Sequence, residues 1–364
     1  MTDNPEQYIH YPQPQEQPPP LPYGEAPRPG VIPLRPLDVG AMINGSFKAV
    51  FRNWRSAILL PFLLSLIAMA VTIVPALLLL AKLPAMTTGA RPSSDAIAAF
   101  FGSFALVLLV VMVMLIGASM VTQTTVTVVV SRAVLGRATS MGQALRAAAP
   151  RMLPLLGLTL LIALVWIACG FVPFVVILVL AYAANAPGLV ALAFLVFMGG
   201  MVVGLYLSIS WALAAPALIL EPAPVLTAMR RSRWLVSGGW WRVFGILLLV
   251  GVMVGVASNL AQLPVNFVQF SQLGSIMPTR AGAQPDPTAV LGVMFSPTVI
   301  VLTVVLTAVV SAIGQPFSIG VTTLLYHDLR IRKESFHLPL WQMSQLPDEL
   351  AVSPAPTARP EPTM

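Results

Sequence analysis

Residues 152–220 read MLPLLGLTLLIALVWIACGFVPFVVILVLAYAANAPGLVALAFLVFMGGMVVGLYLSISWALAAPALIL, 69 residues without an Asp, Glu, Lys or Arg. At 1.5 Å per residue one helix of that length would run about 100 Å, more than three times the ~30 Å hydrocarbon core of a bilayer. Asn185, Ala186, Pro187 and Gly188 supply turn chemistry near its middle, so the stretch reads as two apolar helices joined by a tight turn. Outward from this pair, uncharged runs recur from Ser56 to Ala81, Ala96 to Ser131, Val243 to Thr279 and Pro287 to His327. With 57% hydrophobic and 9% charged residues over 364 positions, the chain is excluded from the water-soluble class. The expected fold is an all-α integral membrane protein with six transmembrane helices near 57–81, 99–130, 152–182, 189–220, 243–270 and 298–326, in a membrane domain spanning 37–330.

Both ends read differently. Residues 1–36 hold eleven prolines and lack the apolar run of a signal peptide, which predicts a disordered, partly polyproline-II tail. Pro19 to Pro22 forms a PxxP pattern, read either as a plain spacer or as a ligand for an aromatic groove. Residues 331–364 are expected to form a second, mostly disordered tail. Of the Lys and Arg residues, seventeen fall on the side shared by the two termini, and only Lys82, Arg91 and Arg280 fall on the other. That bias predicts that both termini are cytoplasmic. The net charge of +7 is then gathered on one membrane face, which excludes a nucleic-acid-binding surface as its purpose. The single cysteine, Cys169, excludes an intramolecular disulfide and a zinc site of paired thiolates.

Before the first, third and fifth spans the chain repeats one device, which predicts three helical hairpins, each preceded by a basic amphipathic interfacial helix. In the first copy Ile43, Phe47, Val50, Phe51 and Trp54 recur at helical spacing, Lys48, Arg52 and Arg55 fill another side, and Asp38 is placed to cap. The second opens on Ser140 and Gln143 in capping-box register and carries Arg146 and Arg151. The third runs from Pro224 through Arg230, Arg231, Arg233 and Trp234 to Gly238, followed by Trp240 and Trp241 at the interface. Two readings of these arginines stay open, topological anchoring and recognition of anionic lipid headgroups, to which each cation near an acidic leaflet contributes on the order of 1 kcal/mol.

Three segments carry a family resemblance: Ile32 to Leu37; Ala215 to Glu221 running on into Ala228, Met229, Arg230, Arg231 and Ser232; and Leu325, Tyr326, His327, Asp328, Leu329, Arg330, Ile331, Arg332. The chain resembles, over about residues 31–335, actinobacterial membrane proteins similar to the membrane domain of glycerophosphoryl diester phosphodiesterases. In family members with that activity a separate soluble barrel carries the chemistry. This chain has neither a His-Arg-Gly triplet nor a Glu-x-Asp pair, so the resemblance implies the membrane fold, in a bacterial cytoplasmic membrane, without the hydrolase.

No catalytic, metal or cofactor signature stands out. His10, His327 and His337 are too scattered for a metal site, and HExxH, GxSxG and GxxxxGK[ST] are absent. No ionisable group sits at depth in a span, which argues against a proton- or ion-coupled carrier. Neutral polar residues do form stripes: Ser119, Gln123, Thr127 and Ser131 in the second span, Asn259, Gln262, Asn266 and Gln269 in the fifth, and Thr303, Thr307, Ser311, Gln315 and Thr322 in the sixth. Such stripes serve either interhelical hydrogen bonding or a polar cavity, and Gln123, Asn259, Gln262, Asn266, Gln269, Ser311 and Gln315 are the candidate lining. Gly200 with Gly204 and Gly251 with Gly255 have GxxxG spacing, suited to packing within one chain or between copies. The function expected is that of a non-enzymatic membrane protein that organises or binds lipid or partner proteins, with homo-oligomerisation open. The alternative is a transporter or permease-like subunit for a lipid-related or small polar solute.

Overall fold

The computed structural model describes residues 29–80, 94–186, 188–221, 223–276, 290, 292–293 and 296–345. The PxxP pattern, Lys82, Arg91, Arg280 and the tail beyond residue 345 lie outside the described residues. Among the described residues the regular structure is entirely helical, without strands. Five helices are long and apolar enough to cross a membrane, and a sixth is reached if the bent pair Val39–Arg52 and Arg55–Val71 counts as one span.

Helix α1 (Val39–Arg52) begins where the Asp38 carboxylate accepts the Ala41 N–H at 3.0 Å. It meets the first spanning segment at 91°, so it lies across the axis of that helix. The corner is built by Asn53 and Ser56, both buried. Asn53 donates to the Ala49 carbonyl and accepts the Thr139 N–H at 3.1 Å, and Ser56 donates to the Asn53 carbonyl. These bonds satisfy backbone groups that a sharp bend would otherwise orphan. A π turn (Arg55–Leu59) then leads into α2 (Leu60–Leu80), which packs along α3 (Ser94–Val134).

The second basic segment is not a separate interfacial helix. Ser140 and Gln143 form the expected capping box, but α4 (Met141–Trp166) continues from it without interruption. No turn residue separates Arg151 from Met152, and Pro150 and Pro154 remove only two hydrogen bonds of the ladder. The spans on either side of Asn185 are each broken instead. The first passes through a π turn (Ile167–Phe171) into α5 (Val172–Ala183), with a proline in its first turn. Asn185 adopts a left-handed φ of 55° in the turn to α6 (Gly188–Ser210). After α6 the chain turns and restarts as α7 (Ala214–Leu220), because buried Ser232 donates to the Ser210 carbonyl at 2.8 Å and accepts the Leu213 N–H. Ser232 belongs to α8 (Val225–Val236), whose C-terminal carbonyls at Trp234 and Ser237 both accept from the Lys333 ammonium.

Gly200 and Gly204 are spent inside the chain. A Cβ at Gly200 would lie 2.8 Å from the Gly170 Cα, and one at Gly204 would strike the Trp166 ring, so α6 sits backbone to backbone on the π turn. Gly251 and Gly255 meet nothing. They lie on α9 (Trp240–Ile276), which packs along α10 (Pro297–Glu334). Capped by Ser296 with Pro297 in its first turn, α10 is the hub, touching α1, α2, α3 and α9. Its 38 residues extend about 57 Å, so its last turns stand beyond the apolar layer. The turns from Thr323 to Ile331, not the middle, are buried on every side. Mid-span side chains such as Leu160, Val202 and Val301 are more than half exposed, as expected of a surface that lipid covers.

The terminal segments also depart from expectation. Residues 29–37 pack into the core, with Ile32, Leu34 and Leu37 at most 5% exposed. The Val31 N–H bonds the Ala133 carbonyl, and Gly30 and Gly136 approach so closely that no Cβ fits at either. The proline content that predicts disorder here is compatible with an extended strap once apolar residues alternate with it. Past residue 330, α10 continues to Glu334, and α11 (His337–Gln345) follows a left-handed Ser335.

Candidate functional site

The arginine-rich end of the helices holds a buried ionic network. Tyr326, Arg330 and Glu334 recur every four residues on α10 and so share one face. Glu221, at the end of α7, is 2% exposed and faces them. Its carboxylate accepts the Tyr326 hydroxyl, lies 3.6 Å from the Arg330 guanidinium, and takes the Arg231 Nε at 3.0 Å. Glu334 in turn pairs with Arg231 at 2.6 Å and with Arg330 at 3.0 Å. Two carboxylates and two guanidiniums thus close a neutral ring, and the Phe336 ring stacks on Arg330 at 3.5 Å. Burial alone would lower the Arg231 pKa, but hydrogen bonds and charge from Glu334 and Glu221 hold it above the ordinary value.

A second cluster forms on the opposite face of the same helix end, because residues two apart on a helix point away from each other. Asp328 is fully buried and accepts from the Leu37 N–H at 2.7 Å, from Arg242 at 2.8 Å and from Arg332 at 3.0 Å. Arg242 and Arg332 both also donate to the Leu37 carbonyl. One carboxylate therefore clips the N-terminal strap, the start of α9 and the end of α10 together. His327 is enclosed between the clusters with its Nδ1 2.8 Å from the Thr323 carbonyl. All three segments that carry the family resemblance meet in these two clusters.

The candidate lipid contacts divide accordingly. Arg231 is committed to Glu221 and Glu334, whereas Arg230 and Arg233 on the same helix are exposed, as is Arg146 on α4; Arg151 is half-buried. Lys48 and Arg52 on α1 and Arg55 at the start of the π turn are exposed; Arg52 donates to the Gly136 carbonyl, and Arg55 lies over the Trp54 ring at 5.5 Å. Among the described residues none of Lys48, Arg52, Arg55, Arg146, Arg230 or Arg233 pairs with a carboxylate.

The polar stripes do not line one cavity. Gln123 and Ser119 face a cleft of about 330 Å³ with Thr159, Ser208 and Trp211, between α3, α4 and the end of α6. Asn266 and Gln269 border a separate cleft of about 230 Å³. Gln262 instead donates to Thr307 on α10 at 2.8 Å, Asn259 donates to its own helix at Gly255, Ser311 is half-buried and Gln315 is exposed. Helical spacing puts these residues on common rows, but α9 and α10 direct them to different neighbours. A third cleft, about 290 Å³ and lined by apolar side chains, runs between α9 and α10 beneath Phe47 of α1. Among the described residues no cluster of three His, Cys, Asp or Glu could hold a metal ion.

The ionic network escaped the sequence reading, although a signal for it was present. Asp328 with Arg332 and Arg330 with Glu334 stand in i,i+4 register, which marks a helix continuing past the apolar span rather than a tail. No curated protein and no solved structure matches the chain. Residues 63–329, well over half the chain and reaching from the first span to the ionic network, match the family model described as Domain of unknown function (DUF7847), and the protein belongs to that family.

Proposed function

We propose that the protein is a non-enzymatic membrane module whose arginine-rich end binds anionic lipid, with six spans in three hairpins and both termini in the cytoplasm. The observation that carries this reading is the sorting of charge at that end. Glu221, Asp328 and Glu334 are consumed by four arginines, while Lys48 and Arg52 of α1, Arg55 after it, Arg146 of α4 and Arg230 and Arg233 of α8 face outward without a described carboxylate partner. Cations left over after internal pairing, at the level of exposed Trp54, Trp234 and Trp241, suit anionic headgroups. His327 and Asp328 are spent in structural contacts, which favours a non-enzymatic role. The resemblance to phosphodiesterase membrane domains accords with a module that handles lipid-phosphate surroundings rather than cleaves them.

The transporter alternative draws on the Gln123 cleft, whose hydroxyls and amide suit a small neutral solute. Against it, the three polar stripes diverge instead of lining a common path. In vesicles containing the purified protein, glycerol entry is expected to equal that of protein-free vesicles, and native mass spectrometry of the protein in mild detergent is expected to show retained anionic phospholipid. Faster glycerol entry with no retained lipid would reverse the choice.

Topology follows from the positive-inside bias. With Cys169 replaced, a cysteine at Ser275, exposed near the far end of α9, is expected to react with an impermeant thiol reagent on intact cells, and one at exposed Ser237 is not. Labelling confined to position 237 would invert the orientation.

A further inference from the structure

The cleft beneath α1 joins two features that are separate in sequence. Its walls are apolar side chains of α9 and α10, including Val254, Ala257, Val310 and Gly314, and its upper end is closed by Phe47 of α1 stacked on Phe317 at 4.4 Å. From Phe317 to Val309 it descends about 12 Å along α10 at 1.5 Å per residue, away from the ionic network and into the apolar layer. Gly314 lets α9 pack tightly on α10 at one wall of the slot, since a Cβ there would lie 2.8 Å from Val254 Cγ1.

What lies at the mouth is α1, which crosses the spans near a right angle and presents three distinct faces. Met42, Ser46, Ala49 and Val50 are buried, and Ser46 donates to the Phe317 carbonyl at 2.9 Å, which fixes the helix on α10. Phe47 and Phe51, at i and i+4, are 36% and 52% exposed and form an aromatic edge directed outward, with exposed Trp54 just past the corner. Lys48 and Arg52 follow the same spacing one residue on, forming a cationic edge beside it. An apolar slot entering the membrane, an aromatic rim and a cationic edge reproduce the order of chain, glycerol and phosphate in a phospholipid.

We propose that this cleft holds one acyl chain of an anionic membrane phospholipid, with its phosphate on the cationic edge of α1 beginning at Lys48. The inference rests on the lipid-binding reading above and assigns it a place. The occupant is identified by charge complementarity: the slot offers no partner for a polar solute, and Lys48 has no described carboxylate partner, so a ligand must be apolar in the slot and negative at its mouth. Ala257 keeps the slot open, and a larger side chain there would occupy the space of the chain.

The test is native mass spectrometry of the full chain in mild detergent, supplied with phosphatidylglycerol or with phosphatidylcholine of the same chains. The wild-type protein is expected to retain one phosphatidylglycerol in preference to phosphatidylcholine. Ala257→Phe is expected to lower retention of both lipids at least tenfold. Val309→Trp, on the opposite wall and already exposed, gives the same readout should the first variant fail to remain monodisperse. Lys48→Gln is expected to lower phosphatidylglycerol retention about fivefold while leaving phosphatidylcholine unchanged, as loss of one cation near a headgroup predicts. Gln342→Ala, exposed on α11 and outside the cationic rows, is expected to change neither. Undiminished retention in the monodisperse cleft variants would overturn the slot and leave lipid binding elsewhere intact. Loss in those variants without an effect of Lys48→Gln would overturn the phosphate assignment. Absence of any retained phospholipid in the wild type would overturn both this site and the lipid-binding reading.

Discussion

Replacing Glu221 with alanine is expected to lower stability by about 3–5 kcal/mol, the usual cost of removing one partner from a buried ion pair. Glu221 and Arg330 are each 2% exposed, so the guanidinium left behind has no access to water. Glu334 still reaches Arg330 and Arg231, but one carboxylate then serves two cations, and the buried Tyr326 hydroxyl loses its acceptor. Removing both members of the pair should cost far less. In Glu221→Leu with Arg330→Met, the Arg231 to Glu334 contact at 2.6 Å survives as a neutral pair, and apolar side chains replace two desolvated charges. Thermal aggregation midpoints in mild detergent are expected to fall steeply for Glu221→Ala and to recover most of the loss in the double variant. Arg230→Gln and Arg233→Gln, both exposed, should stay within about 0.5 kcal/mol of the parent. A loss as large in the double variant as in the single would mean that the glutamate packs the end of α7 rather than balancing charge.

The contrast between these arginines shows where sequence reading reached and where it stopped. Arg230, Arg231 and Arg233 are indistinguishable as a cluster in a basic helix. What separates them is the rotation of α8 against α7 and α10, a tertiary fact. The membrane class was legible because exclusion of charge from a run longer than a bilayer is a one-dimensional signal, and so was the turn at Asn185. The caps at Asp38 and Ser140 were legible because they depend on neighbours within four residues. The breaks at Ile167–Phe171 and after Ser210 were not, because Ser232, 22 residues away, supplies the bonds that permit the second of them. Polar residues at helical spacing define rows in one dimension, yet the destination of each residue depended on the neighbouring helix. Gln262 found Thr307, while Asn266, one turn further on, borders a cleft.

Asp328 provides the second large effect, and its cost should appear locally. Asp328→Leu leaves the buried Leu37 N–H without an acceptor, a penalty of about 1–3 kcal/mol, and removes the charge shared by Arg242 and Arg332. Those two guanidiniums are 34% and 39% exposed, so they can turn to water and contribute less than a buried orphan would. The sum is about 3 kcal/mol, which corresponds to roughly a hundredfold in a local opening equilibrium. Because the carboxylate ties Leu37 to helices distant in sequence, the strap should be released before the helices separate. Hydrogen exchange of a peptide covering residues 30–42 is expected to accelerate by that factor in Asp328→Leu, while exchange in the middle of α9 stays as it was. Asp328→Asn keeps an oxygen for the Leu37 N–H and loses only the charge, so its acceleration should be nearer tenfold. Equal acceleration in the two variants would assign the clip to charge alone. Unchanged exchange over residues 30–42 in both would show that the apolar contacts of Ile32, Leu34 and Leu37 hold the strap without it.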